Sequence, residues 1–89
     1  MEIKKCAFSG TLESSDAYIE IEPSKDGISL ELESIVEKQF GTQIKACVFS
    51  VLDEFEVKSA KIKVLDRGAL ECVIRARVES AILRAKEEN

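Results

Sequence analysis

Apolar residues recur along this chain in two rhythms. Ala17-Tyr18-Ile19-Glu20-Ile21-Glu22 alternates with a period of two: Ala17, Ile19 and Ile21 share one face, Tyr18, Glu20 and Glu22 the other. That is the pattern of a half-buried strand. Pro23 ends it, and Pro23-Ser24-Lys25-Asp26-Gly27 reads as a turn. Ile28-Ser29-Leu30-Glu31-Leu32-Glu33 then alternates again with Ile28, Leu30 and Leu32 inward. The two runs predict an antiparallel hairpin whose outer face carries Glu20, Glu22, Glu31 and Glu33. Upstream, residues 3–8 suit a short first strand, followed by a small, polar loop over Ser9–Asp16. Downstream, Val57 to Leu65 alternates once more. Ala60, Ile62 and Val64 point inward, with Lys58 on their side, and Lys61 and Lys63 face outward, lysines suited to an edge or a solvent face.

Elsewhere the spacing is helical. Residues 34–40 admit two readings: Ser34-Ile35-Val36-Glu37 fits a capping box, while Ser34, Val36, Lys38 and Phe40 continue the alternation. The strand running past Ser34 is the preferred reading, with a helix beginning after Gly41 on a Thr42 N-cap. Ile44, Cys47, Val48, Val51, Leu52 and Phe55 form its apolar stripe, and it should end near Phe55. After the turn Asp66-Arg67-Gly68-Ala69, the residues Leu70, Val73, Ile74, Arg77, Val78, Ala81, Ile82 and Ala85 repeat at steps of three and four. This predicts a closing helix in preference to a strand over Leu70–Ala76. Lys86–Asn89 is expected to fray. The order β-β-β-α-β-α is α+β: a small antiparallel sheet of about four strands with two helices packed on one face. No repeat or linker divides residues 1–89, which read as one domain.

Composition mostly subtracts. Hydrophobic residues make up 45% and charged residues 34% of 89, which is globular rather than disordered. A net charge of −4 lacks the basic footprint of a nucleic-acid binder. No apolar run approaches the roughly 20 residues that span a bilayer, and the apolar stretch near Met1 is too short for a signal-peptide core. No membrane association and a cytoplasmic location are therefore expected. Cys6, Cys47 and Cys72 are odd in number and widely spaced, with no CxxC pair, so they read as small core residues rather than disulfides or metal ligands. The chain contains no histidine, which removes Ser–His and Cys–His nucleophile pairs and the common zinc sites. No catalytic residue and no metal ligand is expected. If the chain takes part in chemistry, the reactive group comes from elsewhere.

Three places invite a functional reading. Ser14 and Ser15 stand between Glu13 and Asp16 with Gly10 nearby; with no base available neither is a nucleophile of this chain, but an exposed hydroxyl can accept a group attached by another enzyme. Taken locally, an ordinary solvated turn is the preferred explanation. Arg75, Arg77 and Arg84 lie on the last helix, and guanidinium groups bind phosphates, although the preferred local explanation is that Arg75 and Arg84 are solvated and Arg77 lays its stem along the core edge. The four glutamates could dock a basic partner surface or serve only as solubilising charge.

Three blocks together resemble a known family: Gly10-Thr11-Leu12-Glu13-Ser14-Ser15-Asp16, Val36-Glu37-Lys38-Gln39-Phe40-Gly41, and Asp66-Arg67-Gly68-Ala69-Leu70-Glu71-Cys72 continuing through Ile74-Arg75-Ala76-Arg77-Val78-Glu79. In order and spacing they are similar to the acyl carrier (gamma) subunits of citrate lyase. The resemblance implies a 2'-(5''-phosphoribosyl)-3'-dephospho-coenzyme A group joined covalently to Ser14 through a phosphodiester, placed there by a prosthetic-group transferase. Its thiol would hold acetyl and citryl thioesters while the alpha and beta subunits convert citrate to acetate and oxaloacetate. Ser15 stands where the family commonly has glycine, and the motif register favours Ser14. Asp16 is expected to help the transferase, and Arg75 and Arg77 to contact phosphates of the arm or a partner subunit. The related carrier subunit of malonate decarboxylase and an unmodified small acidic interaction module are the competing readings.

Overall fold

The computed structural model describes residues 1–35 and 37–86. The elements follow the expected order: β1 (Ala7–Gly10), β2 (Ala17–Glu22), β3 (Ile28–Ser34), α1 (Glu37–Glu54), β4 (Ala60–Asp66) and α2 (Glu71–Ala85). The alternations do what their period demands. Ala17, Ile19 and Ile21 of β2 and Ala60, Ile62 and Val64 of β4 are buried on one face, and Ile28, Leu30 and Leu32 of β3 pack against the same core. The helices cover that face, contributing Ile44, Cys47, Val48, Val51 and Leu52 from α1 and Ile74, Val78, Ala81, Ile82 and Ala85 from α2. The α+β architecture with both helices on one side is as expected. Lys58 precedes β4 and is exposed rather than inward-facing, and β1 sits slightly later than its prediction, taking in Ser9 and Gly10.

The sheet differs in how its strands pair. Its order is β1-β2-β4-β3, with β1–β2 and β2–β4 antiparallel and β3–β4 parallel. The hairpin partners β2 and β3 do run in opposite directions, but β4 is inserted between them. Alternation specifies the faces of a strand, not its neighbour. The turn at residues 23–27 was the available clue: it is long enough to cross two inter-strand spacings, roughly 10 Å. It passes the start of β4, where the Ala60 amide donates to the Gly27 carbonyl (3.1 Å) and the Gly27 amide to Ser59 Oγ (3.3 Å). The sheet is therefore mixed, and β4, expected to suit an edge or a solvent face, is a central strand whose lysines point to solvent.

Two consequences follow for surfaces and ends. The outer face is not an acidic ribbon, because register sets Lys63 between Glu20 and Glu31 and Lys61 beside Glu22, with Lys61 Nζ 3.8 Å from the Glu22 carboxylate. The strand does not continue past Ser34, since its partner β4 ends at Asp66, opposite Ser34. Helix α1 starts at Glu37, with Gly41 and Thr42 inside its first turns; Val36 lies outside the described residues. Gly41 is buried one turn before Ile44 and extends the core-facing stripe, although glycine costs a helix roughly 1 kcal/mol. The fraying expected of the tail falls on residues 87–89, outside the described residues; Lys86 closes α2, its amide donating to the Ile82 carbonyl (3.1 Å).

Candidate functional site

The loop between β1 and β2 is built around Asp16. Its Oδ2 accepts from Thr11 Oγ1 (2.7 Å) and its Oδ1 from the Ala17 amide (2.7 Å). Both oxygens also accept from Arg77 of α2, through Nε and a terminal nitrogen at 2.9 Å each. This is the bidentate fork that makes arginine–carboxylate pairs directional. The guanidinium above all, then the Thr11 hydroxyl, hold the Asp16 carboxyl well below the usual carboxylate range against the opposing effect of desolvation. Within the loop the Asp16 amide donates to the Glu13 carbonyl (3.1 Å) and the Glu13 amide to Thr11 Oγ1 (3.2 Å). The bend demands unusual backbone: Gly10 has φ 90° and Ser15 φ 66°. A Cβ at position 10 would lie 1.8 Å from the Ala17 carbonyl oxygen and 3.2 Å from Arg77 Cδ, so glycine is required there. Ser15 occupies the left-handed region, which accounts for glycine being at home at that position.

A second segment completes the site. The Ser15 amide donates to the Arg67 carbonyl (2.8 Å), and the Arg67 amide to the Asp16 carbonyl (2.9 Å). The 66–70 turn thus runs on from the β2–β4 ladder and flanks the loop. The turn is fixed by Asp66, which is fully buried and accepts from the Ala69 amide (3.0 Å) and from Ser34 Oγ (2.7 Å); Gly68 takes φ 88°. Ser14 lies at the outside of this assembly, exposed, and among the described residues its hydroxyl has no hydrogen-bond partner.

The sequence candidates separate here. Ser14, Ser15, Asp16 and Arg77 come together; Arg75 and Arg84 do not. Arg75 is committed to Glu54 (2.7 Å), with Glu79 at 3.9 Å, and Arg84 donates to the Phe8 carbonyl (2.8 Å). Arg67 is the residue that sequence reasoning passed over as part of a turn. It is the one arginine of the four with no side-chain partner among the described residues. Of the cysteines only Cys47 is buried, where desolvation pushes its thiol pKa up; Cys6 and Cys72 are exposed, not core residues. Among the described residues no cluster of His, Cys, Asp and Glu is arranged to hold a metal ion, and no helix is long and apolar enough to cross a membrane.

Known proteins are similar to this chain over nearly its whole length. The citrate lyase acyl carrier protein of Treponema denticola is 52% identical over 88 residues, spanning 99% of this chain and 100% of its own. The chain belongs to the citrate lyase acyl carrier family. Citrate lyase acyl carrier protein 2 of Salmonella paratyphi A is 53% identical over 89 residues, covering 99% of this chain and 92% of its own. That of Latilactobacillus sakei is 46% identical over 84 residues, covering 94% and 83%. A family profile for acyl carriers, described as the malonate decarboxylase delta subunit (MdcD), matches residues 4–85. Among solved structures, a chain in the crystal structure of a Pseudomonas malonate decarboxylase hetero-tetramer in complex with malonate superposes with a TM-score of 0.81. That superposition covers 96% of this chain and 88% of that one at 22% identity, a likeness of fold. Members of the citrate lyase acyl carrier family are non-catalytic carriers.

Proposed function

We propose that the chain is the acyl carrier subunit of citrate lyase, and that Ser14 bears a phosphoribosyl-dephospho-coenzyme A group through a phosphodiester. The observation that carries the proposal is the presentation of Ser14. Its hydroxyl is exposed at the apex of a loop whose flanks are pinned from three directions, by Thr11, Arg67 and Arg77. An acceptor needs access for a modifying enzyme and a fixed point from which a long arm can swing; this loop offers both. The residues fit such a group: an exposed hydroxyl to esterify and, among the described residues, an uncommitted guanidinium in the adjoining turn. When bound, the group supplies a thiol able to hold acyl groups as thioesters. The chain's own part is to tether and orient, which raises the local concentration of the carried group at partner active sites.

The state of Asp16 defines what it contributes. A carboxylate held this far below its usual range by Arg77 is a poor proton acceptor, so Asp16 serves the transferase by shaping the loop rather than by taking a proton. The partners of this reading are the alpha and beta subunits of citrate lyase and a prosthetic-group transferase, in the cytoplasm. A malonate decarboxylase carrier is the second reading, favoured by the description of the matching family profile; the names of relatives at about half identity over nearly the whole chain favour citrate lyase.

Intact-mass measurement of the protein made together with its modifying enzymes tests the attachment. The expected result is a mass increase matching the group, abolished in Ser14→Ala and retained in Ser15→Ala. No increase in any form would leave an unmodified interaction module, and an increase that survives Ser14→Ala would move the site to Ser15. Reconstitution of citrate cleavage, rather than malonate decarboxylation, with the corresponding large subunits separates the two carrier readings.

A further inference from the structure

We infer that Arg67 is the phosphodiester-binding residue of this carrier, the side chain that holds the first phosphate of the arm against the protein. The inference deepens the proposed attachment at Ser14 and rests on it.

Four observations converge on Arg67. Its backbone is tied to the acceptor loop in both directions, to the Ser15 amide (2.8 Å) and the Asp16 carbonyl (2.9 Å), so its Cα lies beside the residue that follows Ser14. The other loop-bound cation, Arg77, already spends two donors on Asp16, and diverting it would uncouple the contact that shapes the loop. Arg75 and Arg84 are engaged elsewhere, with Glu54 and with the Phe8 carbonyl, whereas the Arg67 guanidinium has no partner among the described residues. The turn that bears it is rigid, locked by Asp66 on the Ala69 amide (3.0 Å) and by a left-handed Gly68 (φ 88°). A guanidinium on a fixed backbone closes on a phosphate at the cost of its own side-chain freedom alone, with no loop to order.

Charge gives the pairing its reason. Esterifying Ser14 places a permanent negative charge next to Glu13 in a chain already at −4. Asp16 is compensated by Arg77; the new anion is not, unless Arg67 turns to it. A phosphodiester oxygen pair also matches the planar fork of arginine, which lysine cannot reproduce.

The test compares the chain made alone with the chain made alongside its modifying enzymes, after intact mass has shown whether Ser14 is loaded. In arginine side-chain NMR, loading should shift the Arg67 Nε–H signal and slow its exchange with water, while the Arg77 signal stays in place. In phosphorus NMR of the loaded chain, Arg67→Gln should narrow the line of the serine-linked phosphodiester without changing that of the distal pyrophosphate. Arg67→Lys should fall between the two. An unchanged Arg77 signal in the variants shows that the loop is intact. A loaded chain whose Arg67 signal matches the unloaded one, with a phosphodiester line indifferent to Arg67→Gln, overturns the assignment and leaves the carrier reading standing. Absence of the adduct on Ser14 overturns the assignment together with the attachment on which it rests.

Discussion

At the scale of single residues, the acceptor loop depends on one carboxylate reached from a helix 61 positions away. A pH consequence follows. Because the folded-state pKa of Asp16 lies below its ordinary value of 3.8, the stability it contributes is fully present above that value and is lost as pH falls below it. Acid unfolding followed by circular dichroism should therefore show wild type losing stability between about pH 4 and pH 2. Asp16→Asn should lose less over the same interval from a lower start. Parallel curves for the two proteins would mean the pair contributes nothing. The loop itself was legible in sequence, since small polar residues, a glycine and the Glu13–Asp16 motif mark it. Its clamp was not. Arg77 falls on the apolar stripe of α2, and a stripe position says only that the stem lies toward the core. Nothing local reveals that the head reaches Asp16. Arg67 was equally opaque, because a residue in a turn displays its function only through its neighbours in space.

At the scale of elements, strands and helices were readable from their periods and the pairing was not. The alternation of β2, β3 and β4 fixed which side chains meet the core. It carried no information that β4 would separate the other two, and the supposed acidic face dissolved once Lys61 and Lys63 took their places in the middle of the sheet. The end of β4 is the joint on which the site hangs. Asp66 there binds the end of β3 through Ser34 and the approach to α2 through Ala69. Asp66→Ala strips a buried acceptor from the Ala69 amide and should cost about 1–3 kcal/mol, read as a lowered urea midpoint with unchanged slope. Asp66→Asn, which keeps one acceptor oxygen, should cost less. Equal midpoints for wild type and Asp66→Ala would remove Asp66 from this role.

At the scale of the whole molecule, three thiols divide into two environments. Cys6 and Cys72 are open to solvent, while Cys47 is sealed under α1 with its thiolate disfavoured by burial. An alkylating reagent applied to the native, unloaded protein should modify two sites quickly and the third only on unfolding; rapid labelling of all three would contradict the packing of α1. The sequence had pointed to all three cysteines as core residues, because spacing alone does not show which of them meets solvent.

The late arrival of β4 also orders events in time. During synthesis β1, β2 and β3 emerge first, yet β2 and β3 never border one another and are joined into one sheet only through residues 60–66. The loop at Ser14 waits longer still, for Arg67 to pair with its backbone and for Arg77 to grip Asp16. Its shape is thus a certificate of completion. A chain halted or damaged before α2 still contains Ser14 but lacks the Arg77 contact that shapes its loop.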